Sequence, residues 1–360
     1  MINNIAVKNF KSLKDVSVPL GALNILGGLN GMGKSSLIHT LLLLKQSNLK
    51  LNNQLLLKGD LISLGKGLDV LYQFAQDEKI SFEFTKSDTS EHAIFEFAWH
   101  PDDTALKLEN GTKEFIPLLD TIQYISADRI GPSDMYDMDQ AMVKEGNLGP
   151  KGQFAAHYIS EFGIKQKVSK ERLHPNETSD ALINQVNAWL SELSPGVRIT
   201  ATEVSGADKM LVSYEFELQN GKTRPFKPTN VGYGISYALS IIVALLIAKK
   251  DQIVIIENPE AHIHPHGQAE LGKLFSFAAS SGVQLIVETH SDHIINGVRV
   301  AVKTGLVDYR MVYFPWFEKV TTEDEQYTKI TTVKIDKNGE LSYYPKNFLE
   351  EWSNQLLKLV

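Results

Sequence analysis

An α/β fold, with a mostly parallel, helix-covered central sheet and an antiparallel N-terminal lobe, is predicted by three features of the 360-residue sequence. First, Gly28-Leu29-Asn30-Gly31-Met32-Gly33-Lys34-Ser35 satisfies G-x-x-x-x-G-K-[ST] at every fixed position, with an apolar strand pattern before it and a helical pattern after it. Second, the apolar runs at 253–256 and 284–287 are flanked by helical spacing, as in strands covered on both faces. Third, the first twenty residues and the stretch 80–100 alternate apolar and polar residues, as strands with one buried face do.

Along the chain, residues 2–10 and 14–20 read as two strands joined by Lys11-Ser12, and Leu23–Leu26 as a short strand entering the glycine-rich loop. A helix begins near Lys34 and runs to about Gln46. Residues 80–100 form a hairpin with the polar residues Asp88–Glu91 in its turn. A strand at 121–126 ends in Ala127-Asp128-Arg129. Glycine, proline, aspartate, methionine and lysine dominate 131–180, which predicts long loops and short helices. Helical spacing marks 181–193, and Ser194-Pro195-Gly196 ends it. Strands follow at 197–204 and 210–218, then helices at 234–249 and 266–280 around the two apolar strands. The tail returns to strand character at 311–345 and closes with a short helix at 347–358.

Composition narrows the function classes. The absence of cysteine removes disulfides, zinc-thiolate sites and thiol catalysis, and fits a reducing cytosol. A net charge of −7 disfavours an extended nucleic-acid groove, although a local basic patch stays open. No secretory h-region is present, and the apolar runs Leu41–Leu44 and Ile241–Ala248 fall short of the ~20 residues a membrane span needs. The expectation is a cytoplasmic protein away from the membrane.

The glycine-rich loop carries the sharpest chemistry. Its glycines let backbone N–H groups face phosphates, and the following helix N-terminus adds a favourable dipole. Lys34 is placed to reach the β and γ phosphates, and the Ser35 hydroxyl to hold Mg²⁺. Ile253-Val254-Ile255-Ile256-Glu257 brings an acid to a strand's carboxyl end, where ligands sit in open α/β sheets, making Glu257 the second metal-site candidate. Gln284-Leu285-Ile286-Val287-Glu288-Thr289-His290 ends likewise in polar groups, and a histidine there can sense a γ phosphate or move a proton. His262, His264, His266 and His293 cluster nearby, but no cysteine or third fixed acid completes a zinc set.

With these three elements in order, the chain resembles the ABC-like ATPase branch that includes SMC, RecF and OLD-type proteins. "IAVKNFKSLKDVSVPLGALNILGGLNGMGKSSL" is similar to their N-terminal lobe and Walker A loop, "IVIIENPEAHIHP" to their Walker B strand and D-loop, and "LIVETHSDHII" to their switch-histidine strand. "NVGYGISYALSIIVALL" occupies the place of the ABC signature. The likeness is best with small bacterial AAA-labelled ATPases whose C-terminal region, here "IDKNGELSYYPKNFLEEW", has no assigned function. It implies an ABC-type P-loop NTPase organised as one domain over 1–360. Core segments lie at 1–60, 121–132 and 229–310, an inserted lobe at 133–228, and a C-terminal extension at 311–360.

The resemblance also implies ATP and Mg²⁺ as cofactors. Gly28, Asn30, Gly31, Gly33, Lys34, Ser35 and Ser36 would hold the phosphates, while Gly232, Gly234 and Ser236 would contact the γ phosphate held by a second subunit. Arg129 falls near the Q-loop region. A homodimer enclosing two ATP molecules follows. So does a separate effector, a nuclease being one candidate because no acidic triad follows His290; the run Glu323-Asp324-Glu325 reads as a solvated loop. Links to phage defence or nucleic-acid maintenance belong to the same resemblance. Two departures stand out. Asn258 occupies the place of the usual second acid and cannot act as a base, leaving Glu260 or Glu288 for that role, with His290 as partner. Asn230-Val231-Gly232-Tyr233-Gly234 is only loosely like the signature. The alternatives are a nucleotide-gated scaffold with little hydrolysis and a RecF-like DNA-repair clamp.

Overall fold

The computed structural model describes residues 1–49, 51–86, 91–345, 348 and 357–359. In chain order the strands and α-helices are β1 (Ile2–Phe10), β2 (Leu13–Pro19), β3 (Leu23–Gly28), α1 (Lys34–Ser47), β4 (Gln54–Leu56), β5 (Lys79–Lys86), β6 (His92–Ala98), β7 (Ala105–Gly111) and α2 (Ile116–Asp120). Then come β8 (Gln123–Ile125), β9 (Tyr136–Asp137), α3 (Gln140–Glu145), α4 (Ala155–Phe162), α5 (Leu182–Leu193), β10 (Val197–Glu203), β11 (Lys209–Leu218) and β12 (Gly221–Lys222). Last are α6 (Tyr233–Ile247), β13 (Ile253–Glu257), α7 (Pro265–Ser280), β14 (Gln284–Glu288), α8 (Asp292–Lys303), β15 (Val312–Thr321) and β16 (Gln326–Lys334). The chain divides into two compact units.

The first unit comprises Met1–Ile122, Tyr309–Asp336 and Glu340–Val360. Its antiparallel sheet runs β2-β1-β5-β6-β7-β4, and the alternation read from the sequence is the alternation of burial. Phe82, Phe84, Phe95 and Phe97 all face one side and are fully buried, which fixes the register because a one-residue slip would turn them to solvent. β15 pairs in parallel with β3 and antiparallel with β16. The segment 311–360, expected as an extension, therefore supplies strands alongside β3. The closing helix expected at 347–358 lies almost wholly outside the described residues, as do residues 88–90 of the hairpin turn.

The second unit comprises Gln123–Asp308 and Lys337–Gly339. β14, β13 and β8 form parallel pairs, and every residue of the three strands is buried. α6 is buried over most of its circumference, as expected of a helix apolar all round. Residues 133–228, read as an inserted lobe, pack in this unit; β10 and β11 pair within it, and α4 and α5 lie against β10. α8 is absent from the sequence reading, although Ser291 caps it by accepting from the backbone N–H groups of His293 and Ile294, and its apolar residues recur at helical spacing. β4, β7 and α2 were also not expected; they are short or carry mixed polarity, so periodicity does not mark them.

Candidate nucleotide site

In the first unit, β3 delivers the glycine-rich loop from a fully buried strand. Gly28 adopts φ 139°, and a Cβ there would sit 2.5 Å from the Phe317 carbonyl oxygen of β15. Only glycine tolerates both that dihedral and that approach. Gly33 is the N-cap of α1 at φ 98° and provides no side-chain cap. The positive end of the helix dipole faces the loop. Lys34 is 3% exposed, and its Nζ donates to the carbonyls of Gly28 and Leu29, both at 2.9 Å. The ammonium is thereby held within the loop. Ser35 is half-buried, Ser36 buried, and Asn30 and Gly31 exposed at the loop's crest.

In the second unit, the parallel register places Glu257 beside Glu288 at the carboxyl ends of β13 and β14. Glu257 is 8% exposed; its carboxylate accepts from the Tyr124 phenol (2.9 Å) and the Ala127 N–H (3.3 Å). Burial pushes its carboxyl above the ordinary range, and those two hydrogen bonds with the Arg129 charge oppose the shift. Burial and the neighbouring carboxylates push the Tyr124 phenol up as well, so it remains a donor.

Arg129 takes a role the sequence reading did not give it. Its guanidinium donates to the Glu257 carbonyl, to the Asn258 carbonyl (2.7 Å) and to the Ser126 carbonyl (3.1 Å), and it lies 5.9 Å from the Tyr237 ring. Burial pulls it down to about 10, which leaves it cationic at neutral pH. The turn it holds is irregular: Asn258 has φ 45° and His262 φ 62°. Asparagine enters the left-handed region more readily than glutamate, so a backbone reason accounts for the departure from the usual acid pair. The Asn258 N–H donates to the Glu288 carbonyl (2.8 Å).

Glu260 bridges the two strand ends. Its carboxylate accepts from the Thr289 hydroxyl (2.7 Å) and the His290 N–H (2.9 Å). His290 itself is exposed. Glu257, Glu260, Glu288 and His290 are thus brought together within one unit.

The signature segment divides. Gly232 caps α6 and is exposed, beside Tyr233 at 58% exposure. Gly234 meets the turn, where a Cβ would sit 2.5 Å from the His262 carbonyl oxygen. Ser236, expected to contact the γ phosphate of a second subunit, is 5% exposed and packs by the phenols of Tyr136 and Tyr214 inside its own unit. Two placements differ from the sequence reading. Glu325 of the acidic run is ion-paired with Lys14 at 2.6 Å, while Glu323 and Asp324 are exposed. The acids that the histidine cluster lacked come from the fold, since Glu192, His266 and Glu270 offer ligand atoms within 4.8 Å of one another. Both carboxylates already have cationic or histidine partners, His174 on Glu192 (2.8 Å) and Lys273 on Glu270 (3.2 Å).

A glycine-rich phosphate loop on a strand-to-helix turn and acids at the ends of buried parallel strands define the class: a P-loop NTPase fold. Residues 23–296 match the family described as AAA domain, putative AbiEii toxin, Type IV TA system, and the chain belongs to that family. Residues 309–359 match a second model, described as protein of unknown function (DUF3696). A search of curated proteins returns no match.

Among solved structures, the chain is similar to the SMC head domain from Thermotoga maritima at 11% identity and TM-score 0.50, covering 92% of this chain and 98% of that one. An SMC head bound to the C-winged helix domain of ScpA aligns at 14% identity and TM-score 0.52, with 93% and 98% covered. The Smc head with an extended coiled coil bound to the C-terminal domain of ScpA, from Pyrococcus furiosus, aligns at 13% and 0.53, with 99% of each covered. At these identities the likeness is one of fold. Among the described residues no helix is long and apolar enough to cross a membrane.

Proposed function

We propose that this protein binds ATP with Mg²⁺, hydrolyses it, and uses the nucleotide state to pair two copies and to regulate a partner protein. The phosphate loop carries the reading: a buried lysine held within a turn shaped by positive-φ glycines, at the N-terminus of a helix whose N-cap is glycine, is suited to the phosphates of a nucleotide. The residue types suit the metal, since Mg²⁺ prefers oxygen ligands: Ser35 of the loop carries a hydroxyl, and Glu257 of the second unit is the candidate carboxylate. Bound there, Mg²⁺ would neutralise phosphate charge.

In hydrolysis, water oxygen attacks the γ phosphorus, the bond to the β-phosphate oxygen breaks, and a carboxylate accepts the water proton. Glu260 and Glu288 are the candidates for that acceptor, with His290 alongside. Asn258 serves the backbone and not the chemistry. The exposed N-terminus of α6, with Gly232 and Tyr233, suits a contact with a second copy. A protein partner is supported by the SMC heads solved with ScpA domains bound to them. A defence role is supported by the AbiEii-type description of the family.

Phosphate release from Mg-ATP, with light scattering in parallel, tests the proposal. The wild type should turn over and form nucleotide-dependent dimers, and Lys34→Ala should do neither. A wild type that dimerises with ATP but releases no phosphate would favour the scaffold reading, which the hydrogen-bonded state of Glu260 also fits.

A further inference from the structure

We propose that the β15–β16 hairpin of the 309–359 region is the brace of the phosphate loop, and that Thr328 is the positioning residue through which it acts. The inference rests on the nucleotide-binding reading above and gives that region a task in it. Thr328 is 3% exposed. Its backbone N–H donates to the Ser12 carbonyl at 2.8 Å, tying β16 to the turn between β1 and β2. Its hydroxyl donates to the Met32 carbonyl at 2.9 Å and shares a second hydrogen bond with the Ser12 hydroxyl at 2.8 Å. A hydroxyl has one proton, so with Met32 as its acceptor the Ser12 hydroxyl is the donor of the second bond.

The consequence for the loop follows from the planarity of the peptide. In a trans peptide the C=O and the next N–H point to opposite sides. With the Met32 carbonyl drawn toward Thr328, the Gly33 N–H is directed away from the hairpin. Contact on the hairpin side is tight: a Cβ on Gly33 would lie 2.7 Å from the Thr328 Oγ1 and 2.8 Å from the Ser12 Oγ. Gly33 at φ 98° therefore has both a dihedral and a neighbour that require glycine.

The hairpin is itself anchored. Glu325, just before β16, accepts from Lys14 Nζ (2.6 and 2.7 Å) and from the Tyr72 phenol (3.0 Å). At the other side, β15 runs in parallel register with β3 up to Phe317 opposite Gly28. The loop thus leaves β3 against β15 and enters α1 against β16. A phosphate loop works through the orientation of its amides, and orientation fixed before binding costs nothing when the ligand arrives.

Thr328→Val keeps the shape and removes the hydroxyl; Thr328→Ser restores it. In the full-length protein, we expect Thr328→Val to weaken binding of a fluorescent ATP analogue with Mg²⁺ roughly tenfold, with Thr328→Ser within about threefold of wild type. Without nucleotide, amide exchange across residues 30–35 should quicken in Thr328→Val, while exchange in β13 and β14 and the melting midpoint stay near wild type. If wild type binds and Thr328→Val matches it in both affinity and loop exchange, the brace is overturned and the nucleotide reading stands. If wild type and Lys34→Ala bind equally poorly, the nucleotide reading fails and the proposal falls with it.

Discussion

The phosphate loop of the first unit and the acidic turn of the second reach fixed geometry by different routes. The loop is shaped by backbone: glycines in left-handed or otherwise restricted conformations, a helix start, and one lysine returned onto loop carbonyls. The acidic turn is shaped by side chains: Arg129 bonds two of its carbonyls, Tyr124 bonds Glu257, and Glu260 ties it to the end of β14. Backbone geometry of the first kind is written in consecutive residues. The second kind is assembled from residues far apart, and so it is sensitive to many single substitutions that leave the motif itself intact.

The largest effect belongs to Lys34→Ala, which removes the charged group of the loop and should weaken Mg-ATP binding about 100-fold or more while sparing the fold. Next, Glu260→Gln should lower turnover about 100-fold with nucleotide affinity within about threefold, because an amide cannot take the water proton. Glu288→Gln is the comparator: whichever variant loses more turnover identifies the acceptor, and unchanged rates in both would break the hydrolytic reading.

Arg129→Met should destabilise the second unit by roughly 3 kcal/mol, since it leaves buried carbonyls unbonded; denaturant unfolding measures it. Gly234→Ala should cost roughly 1–3 kcal/mol by the same measurement, through overlap with the His262 carbonyl, independent of any contact with a second copy.

The smallest effect is on pH dependence. Glu257 has its carboxyl raised by burial, so its contribution to stability is full below the unfolded carboxyl range and is lost as pH rises through the folded value. At neutral pH the buried carboxylate is therefore a burden retained for the site. Glu257→Gln should melt above wild type at pH 8, and the difference should shrink toward about pH 4. An advantage that grows on acidification would contradict the sign.

Much of this was legible in the sequence for a physical reason. The strand–loop–helix unit around Lys34 is local, and the buried strands of the second unit are uniform apolar runs, so motif and periodicity both reported them. Glu257, Glu260, Glu288 and His290 were found because they sit at the ends of those runs. Their partners were not: Tyr124 lies 133 positions from Glu257, and a tyrosine in a short strand announces nothing. Thr328 was silent for the same reason, as one threonine in a strand rich in threonine. The role given to Ser236 came from resemblance alone, and in this chain the residue is buried on α6. Asn258 ran the other way: an apparent chemical defect in sequence becomes a left-handed turn residue once the dihedral is known.

The central claim is that a triphosphate with its metal seats on the loop between β3 and α1. Titration calorimetry of a non-hydrolysable Mg-ATP analogue into the full-length chain, beside Lys34→Ala, addresses it most directly. The wild type should show one site per chain, and the variant no measurable heat. Equal binding by both proteins, or none by the wild type, would contradict it.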